Sequence, residues 1–174
     1  MNPYTNLAKT AVENYILKRK IIEMPNGLPK EMLEKKAGVF VTIEKQGKLR
    51  GCIGTYLPVK ENIAEEIIYN AIAAATEDYR FGPVQKEELD YLTYTVYILD
   101  KPNQVQHIGE LDPKKYGILI KTLTFPQKTA ILLPDLEGID TVEKQLLIAC
   151  QKGGIDLKKD KVVIYKFSVK KYGK

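Results

Sequence analysis

The sequence contains no tryptophan, one histidine and two cysteines. Two cysteines, Cys52 and Cys150, are too few for a disulfide scaffold or an all-cysteine zinc site. With His107 as its single histidine, the chain has no His-His metal pair and no HExxH signature, and no spacing suggests a Cys-His dyad. His107 lies in a polar stretch, Asn103 to Gly109, and reads as a solvated loop residue. Neither GxxxxGK(S/T) nor GxGxxG occurs, so the usual phosphate-binding loops are missing. No metal site and no cofactor are expected. No apolar run approaches the roughly 18 residues of a membrane span. Met1 to Thr10 is polar and lacks the apolar stretch of a secretory signal. The expectation is a cytoplasmic protein with no membrane association. Arginine is also scarce: of 27 cations only Arg19, Arg50 and Arg80 are arginine. Arg supplies a rigid fork of donors that Lys cannot, so those three positions draw notice.

What remains is ordinary for a globular chain. The 174 residues are 44% hydrophobic and 28% charged, enough to bury one sizeable core or two small ones. The net charge of +5 is spread over short lysine clusters, Lys18-Arg19-Lys20, Lys158-Lys159 and Lys170-Lys171. Such clusters are usually solvated faces. They permit nucleic-acid binding without arguing for it, and a steep fall of affinity with salt would be its mark.

Periodicity gives the elements. Tyr4 to Lys20 reads as an amphipathic helix through Leu7, Ala8, Ala11, Tyr15 and Ile16. Met24 to Pro29 is a loop. Gly38 to Gly54 reads as a β-hairpin, and Asn62 to Thr76 as a helix whose Ile63, Ile67, Ala71, Ala74 and Ala75 share a face. Tyr91 to Leu99 is a strand of β-branched and aromatic residues. A second hairpin follows from Tyr116 to Leu133, then a helix from Asp140 to Lys152, opened by Asp140 with Glu143 as a capping pair and closed by Gly153-Gly154. Cys150 falls on its core face with Val142, Leu146 and Ala149. Val162 to Lys170 alternates as a last strand.

Hairpin, helix and strand therefore occur twice. Gly38-Val-Phe-Val is echoed by Gly117-Ile-Leu-Ile, and Leu57-Pro58 by Leu133-Pro134. The expected fold is α+β: a single domain over residues 1–174, in two lobes built from a duplicated hairpin–helix–strand unit (roughly 38–101 and 116–172) plus an N-terminal helix. A junction between such halves is a common place for a ligand cleft.

Leu49-Arg50-Gly51-Cys52-Ile53-Gly54 is the most informative stretch. A two-residue Gln46-Gly47 turn would put Arg50 and Cys52 on the face of Val39, Val41 and Ile43. A three-residue Lys45-Gln46-Gly47 loop shifts the register by one and flips them. Gln suits the first position of the two-residue turn poorly, so the three-residue loop is expected, pairing Ile43 with Leu49, Val41 with Gly51 and Val39 with Ile53. Glu44 then faces Lys48, and Arg50 and Cys52 share the non-core face with Phe40 and Thr42. A neighbouring guanidinium favours a thiolate, and Gly51 and Gly54 leave room for close approach. Cys52 is either a reactive or ligand-contacting thiol or a small buried hydrophobe. Further along, Asp78 and Arg80 either hold each other or face a ligand. Local pattern favours a helix end stopped by Gly82-Pro83.

Gly38-Val-Phe-Val-Thr, Leu49-Arg-Gly-Cys-Ile-Gly, Asn70-Ala-Ile-Ala-Ala-Ala, Asp78-Tyr-Arg-Phe and Leu132-Leu-Pro-Asp-Leu-Glu-Gly-Ile-Asp-Thr-Val-Glu-Lys-Gln together resemble the AMMECR family, whose bacterial members are called AmmeMemoRadiSam system protein A. The resemblance covers nearly the whole chain. It implies a two-lobed α+β fold, a functional site at the Cys motif, and a Memo-like protein and a radical S-adenosylmethionine protein as partners. Two departures stand out. The family often reads Asp-Pro-Arg-Phe where this chain has Tyr79. It often carries an arginine-rich stretch where this chain has Gln127-Lys128-Thr129-Ala130, which weakens an anion site at the second hairpin.

The resulting expectation is a cleft between the lobes holding Arg50, Gly51, Cys52, Gly54, Asp78 and Arg80. It would bind a small anionic ligand or a peptide segment, with Cys52 as contact or nucleophile. The other reading is a non-catalytic adaptor. No acid–base pair has recognisable spacing, so the sequence assigns no reaction.

Overall fold

The structure, a computed structural model, describes residues 2–173. Its helices and two antiparallel four-stranded sheets make an α+β fold. Helix α1 (Pro3–Lys18) starts where the Asn2 side chain accepts from Tyr4 N at 3.0 Å, with Pro3 at the first helical position. Its Leu7, Ala8, Ala11 and Val12 are buried. A short α2 (Lys30–Glu34) follows, then strands β1 (Gly38–Lys45) and β2 (Lys48–Thr55). Helix α3 (Ile63–Thr76) is capped by Asn62, whose side chain accepts from Glu65 N at 2.9 Å. Strand β3 (Leu92–Leu99) pairs antiparallel with β1, with Val41 opposite Val96.

The second half repeats the plan. After the short β4 (Asn103–Gln104) come β5 (Gly117–Thr122), β6 (Thr129–Leu132), α4 (Val142–Gly153) and β7 (Val162–Phe167). Val169–Tyr172 forms β8. The sheets run β2-β1-β3-β8 and β6-β5-β7-β4. In each, a hairpin supplies the first two strands and the strand after the helix supplies the third. The fourth comes from elsewhere: the segment leaving β3 gives β4 to the second sheet, and the segment leaving β7 gives β8 to the first. The compact units are accordingly residues up to Leu99 with those from Lys170, and Asp100–Val169. Each has its own hydrophobic core. No helix among the described residues is long and apolar enough to cross a membrane.

Three local expectations need correction. Val162 to Lys170 is not one strand, because the ladder breaks at Ser168 and the chain changes sheets there. Helix α4 is capped by Thr141, not Asp140. Thr141 has extended backbone and its hydroxyl accepts from Lys144 N at 3.2 Å, while Asp140 pairs with Lys114 at 2.8 Å.

The third correction is the first hairpin. Its turn has two residues, with Gln46 (φ 53°) and Gly47 (φ 77°) both left-handed, and Lys45 faces Lys48. This is the turn whose twist suits the strands, and here that outweighs the poor fit of Gln. A plain two-residue hairpin would place Cys52 opposite Val41, under the helices. Instead a bulge interrupts the ladder: Glu44 pairs with Leu49, but Ile43 pairs with Gly51, leaving Arg50 as the extra residue. Cys52 therefore faces Thr42, on the side away from Val39, Val41 and Ile43, as expected, although the loop has two residues and none of the expected pairs forms: Ile43 faces Gly51, Val41 faces Ile53 and Val39 faces Thr55, not Leu49, Gly51 and Ile53, and Glu44 faces Leu49, not Lys48.

Candidate functional site

Strand β2 ends the order of its sheet, so half of its backbone groups point away from β1. At Cys52 those groups are met by side chains. Asp78 Oδ2 accepts from Cys52 N at 2.9 Å, and Arg80 Nη2 donates to Cys52 O at 3.5 Å. Asp78 and Arg80 also hold each other. Arg80 donates from Nε to Oδ1 at 2.9 Å and from Nη2 to Oδ2 at 2.7 Å, and its backbone N–H reaches Oδ1 at 3.2 Å. The Asp78 side chain is 4% exposed, so burial alone would raise its pKa. The Arg80 guanidinium, helped by the N–H groups of Cys52 and Arg80, instead pulls it down to about 2. A buried carboxylate with four donors is a fixed anchor, and it docks the segment after α3 onto β2.

Arg50 serves a second clamp. From its bulge it grips Glu88 with two hydrogen bonds, Nε to Oε1 at 3.0 Å and Nη2 to Oε2 at 2.9 Å, and Nη1 donates to Gly82 O at 2.8 Å. Lys45 adds an ion pair to Glu88 at 2.9 Å. Arg50 foremost, with Gln85 N–H and Lys45, lowers the Glu88 carboxyl to about 2 against the opposing effect of burial. Arg50 is thus committed to a protein carboxylate and only 16% exposed. Arg80 differs: 44% of its side chain stays exposed, and none of the described hydrogen bonds falls to its Nη1.

The glycines have structural tenants. A Cβ on Gly51 would lie 2.1 Å from Ala74 O, so α3 packs its backbone directly on β2 there. A Cβ on Gly54 would lie 2.3 Å from the Phe40 ring and 2.4 Å from Val39 O. On the open face Thr42 Oγ1 donates to Cys52 Sγ at 3.2 Å. Cys52 is partly exposed, whereas Cys150 is buried and burial raises its thiol pKa. The six expected residues are thus brought together along one strand edge, all within the first compact unit.

Sequence reasoning placed Thr42 on the face of Cys52 without giving it a role, and missed Glu88, Glu66 and Asn70. Glu66 is 1% exposed and accepts from Thr55 Oγ1 at 2.9 Å, Lys60 N at 2.7 Å, Asn70 Nδ2 at 3.2 Å and Val59 N. Asn70 also donates to Val39 O at 3.2 Å. Together they pin the turn after the Cys motif. The signal was available, because Ile63, Glu66, Ile67, Asn70, Ala71 and Ala74 lie at one helical spacing, which puts two polar residues on the buried face. Among the described residues no three His, Cys, Asp or Glu side chains gather as a metal site.

A family model described as AMMECR1 matches residues 5–172. A Thermotoga maritima protein is 50% identical over 98% of this chain and 97% of its own length. A Clostridium acetobutylicum protein is 46% identical over 98% of this chain, which spans only 36% of that relative. Among solved structures, the crystal structure of the uncharacterized protein PH0010 from Pyrococcus horikoshii is similar, with a TM-score of 0.87 and 31% identity over 97% of this chain and 88% of that one.

Proposed function

The chain belongs to the AMMECR1 family, and on that premise we propose that it binds a small anion beside the Cys52 thiol. The observation that supports this reading is the buried Asp78, which fixes the Cys52 backbone and a half-exposed guanidinium side by side. Arg80 Nη1 is the donor for a carboxylate or phosphate group, and Cys52 is the contact or the nucleophile. Arg50 holds the wall of the site through Glu88, and Gly51 and Gly54 allow its close packing. A peptide segment fits less well. An added strand would need the Cys52 N–H and C=O that Asp78 and Arg80 already meet.

Alkylation tests this with two reagents of similar size, neutral iodoacetamide and anionic iodoacetate. Cys52 reacts at least about tenfold faster than buried Cys150. Iodoacetate gains relative to iodoacetamide at Cys52, and Arg80→Ala removes that gain. A Cys52 as inert as Cys150 defeats the thiol role; an unchanged reagent ratio in Arg80→Ala defeats the anion role.

A second reading, the non-catalytic adaptor, has its own support. The Clostridium acetobutylicum relative carries a match to this chain as 36% of a longer protein, so the matching stretch is joined there to further sequence in one polypeptide. Under this reading the chain presents itself to a Memo-like or radical S-adenosylmethionine protein. Co-purification of such a protein from the native host supports it, and its absence after chemical crosslinking counts against it.

A further inference from the structure

The tip of the β5–β6 hairpin is apolar and stands in water. Phe125 is 97% exposed and Leu123 63%. Isolated exposed hydrophobes are common, but a fully extruded phenylalanine is not explained by folding, since burying it would gain free energy. The tip is also held in shape. Thr122 Oγ1 accepts from Lys128 N at 2.8 Å, and Gln127 Nε2 donates to Thr122 O at 3.2 Å. Leu123 N–H donates to Lys161 O at 2.8 Å, which fastens the tip to the turn before β7. That turn carries another exposed apolar residue, Leu157, at 47%. Asp160 supports it by accepting from Asp156 N at 2.9 Å and pairing with Lys128 at 3.1 Å.

Around these three apolar residues positive charge prevails, although Lys128 and Lys159 are paired with Asp160 and Asp156. Lys121, Lys128, Lys158, Lys159 and Lys161 lie in the two segments, against Asp156 and Asp160. Lys158, Lys159 and Lys161 are exposed. An apolar wedge rimmed by lysines matches the interface of an anionic bilayer, where rings and aliphatic chains enter the headgroup boundary while ammonium groups stay at the phosphates. Phosphates of a nucleic acid would use the lysines but give the leucines nothing. We propose that the β5–β6 hairpin tip and the adjoining 156–161 turn form a docking surface for an anionic lipid bilayer. Contact of this kind needs no spanning helix. It places the protein at a membrane surface and uses residues of the second compact unit alone.

The chain has no tryptophan, so F125W reports emission from the tip alone. Vesicles of phosphatidylcholine, with and without phosphatidylglycerol, are the probe. The full chain co-sediments with the mixed vesicles and not with phosphatidylcholine alone, and added salt weakens the binding. F125W emission shifts to the blue on the mixed vesicles, and F125D binds about tenfold more weakly while its circular dichroism matches the parent. Absence of binding overturns the proposal. So does binding that F125D retains or that leaves F125W emission unchanged, since the lysines alone then act. A blue shift with single-stranded DNA but not with vesicles overturns it in favour of base stacking.

Discussion

Glu66 and Gln145 occupy the same place in two copies of one construction. Each is the fourth residue of the helix that follows a hairpin, and each is 1% exposed. The sequence distance from Gly38 to Gly117 equals that from Asn62 to Thr141, so hairpin and helix keep step in both copies. The chemistry then diverges. Glu66 gathers four donors and ties down residues 55–60. Gln145 donates once, to Tyr116 O at 2.8 Å, and its Oε1 has no partner. Close packing diverges too. In the first copy the strand supplies the glycine, Gly51 under Ala74; in the second the helix supplies it, Gly153 against Ala130. The two cysteines follow suit, Cys52 at a strand edge and Cys150 in a core. Shared architecture fixes where a helix meets a hairpin, and the residues at that contact decide whether the strand end becomes an organised site.

The largest effect should separate the two buried polar residues. Glu66→Ala leaves three backbone or side-chain donors and an amide without their acceptor, and should cost about 4 kcal/mol. Gln145→Ala loses one hydrogen bond and relieves an unmet oxygen, and should cost about 1 kcal/mol. Denaturant unfolding with hydrogen exchange at residues 55–60 checks both, and equal losses would break the comparison. Next comes Gly51→Ala. The added methyl meets Ala74 O and forces α3 away from β2, at about 3 kcal/mol. A neutral result in thermal unfolding would mean that the helix yields freely there.

A further effect, smaller than those of Glu66 and Gly51, is acid-dependent and belongs to the first copy. Asp78 and Glu88 both titrate near 2 in the folded chain, below the ordinary carboxylate range. Depressed folded pKa values give stability that is fully present above about pH 4 and is lost as pH falls through about 2. For buried Asp78 that is on the order of 2 kcal/mol. Asp78→Asn should therefore lower stability at neutral pH by about that amount and flatten its fall in acid. An unchanged acid profile, measured by denaturant unfolding between pH 5 and pH 2 (about the span of the titration), would remove Asp78 as an anchor.

Much of the fold was legible along the chain. Helices α1, α3 and α4, both hairpins and their repetition come from spacing, because side-chain periodicity is a local property of the backbone, whereas the short α2 was not expected. The orientation of Cys52 was right although the turn was not. One register error, a turn of two residues, was offset by a bulge at Arg50, a feature that no hydrophobic pattern announces. The candidate site was half legible. Its Arg and Cys positions stood out by rarity and motif, whereas the partners of Arg50 and Cys52 lay 38 and 26 residues away.

The sequence by itself determined the three long helices, the two hairpins, their amphipathic faces, the doubled plan and the family. Tertiary structure alone decided that Glu88, not a ligand, holds Arg50, that Asp78 and Arg80 close the β2 edge at Cys52, and that β4 and β8 join the opposite sheets. The physical reason is range. Periodicity is written within a few residues, but a strand edge exists only after sheets have formed, and a carboxylate finds its guanidinium only when packing closes the loop between them.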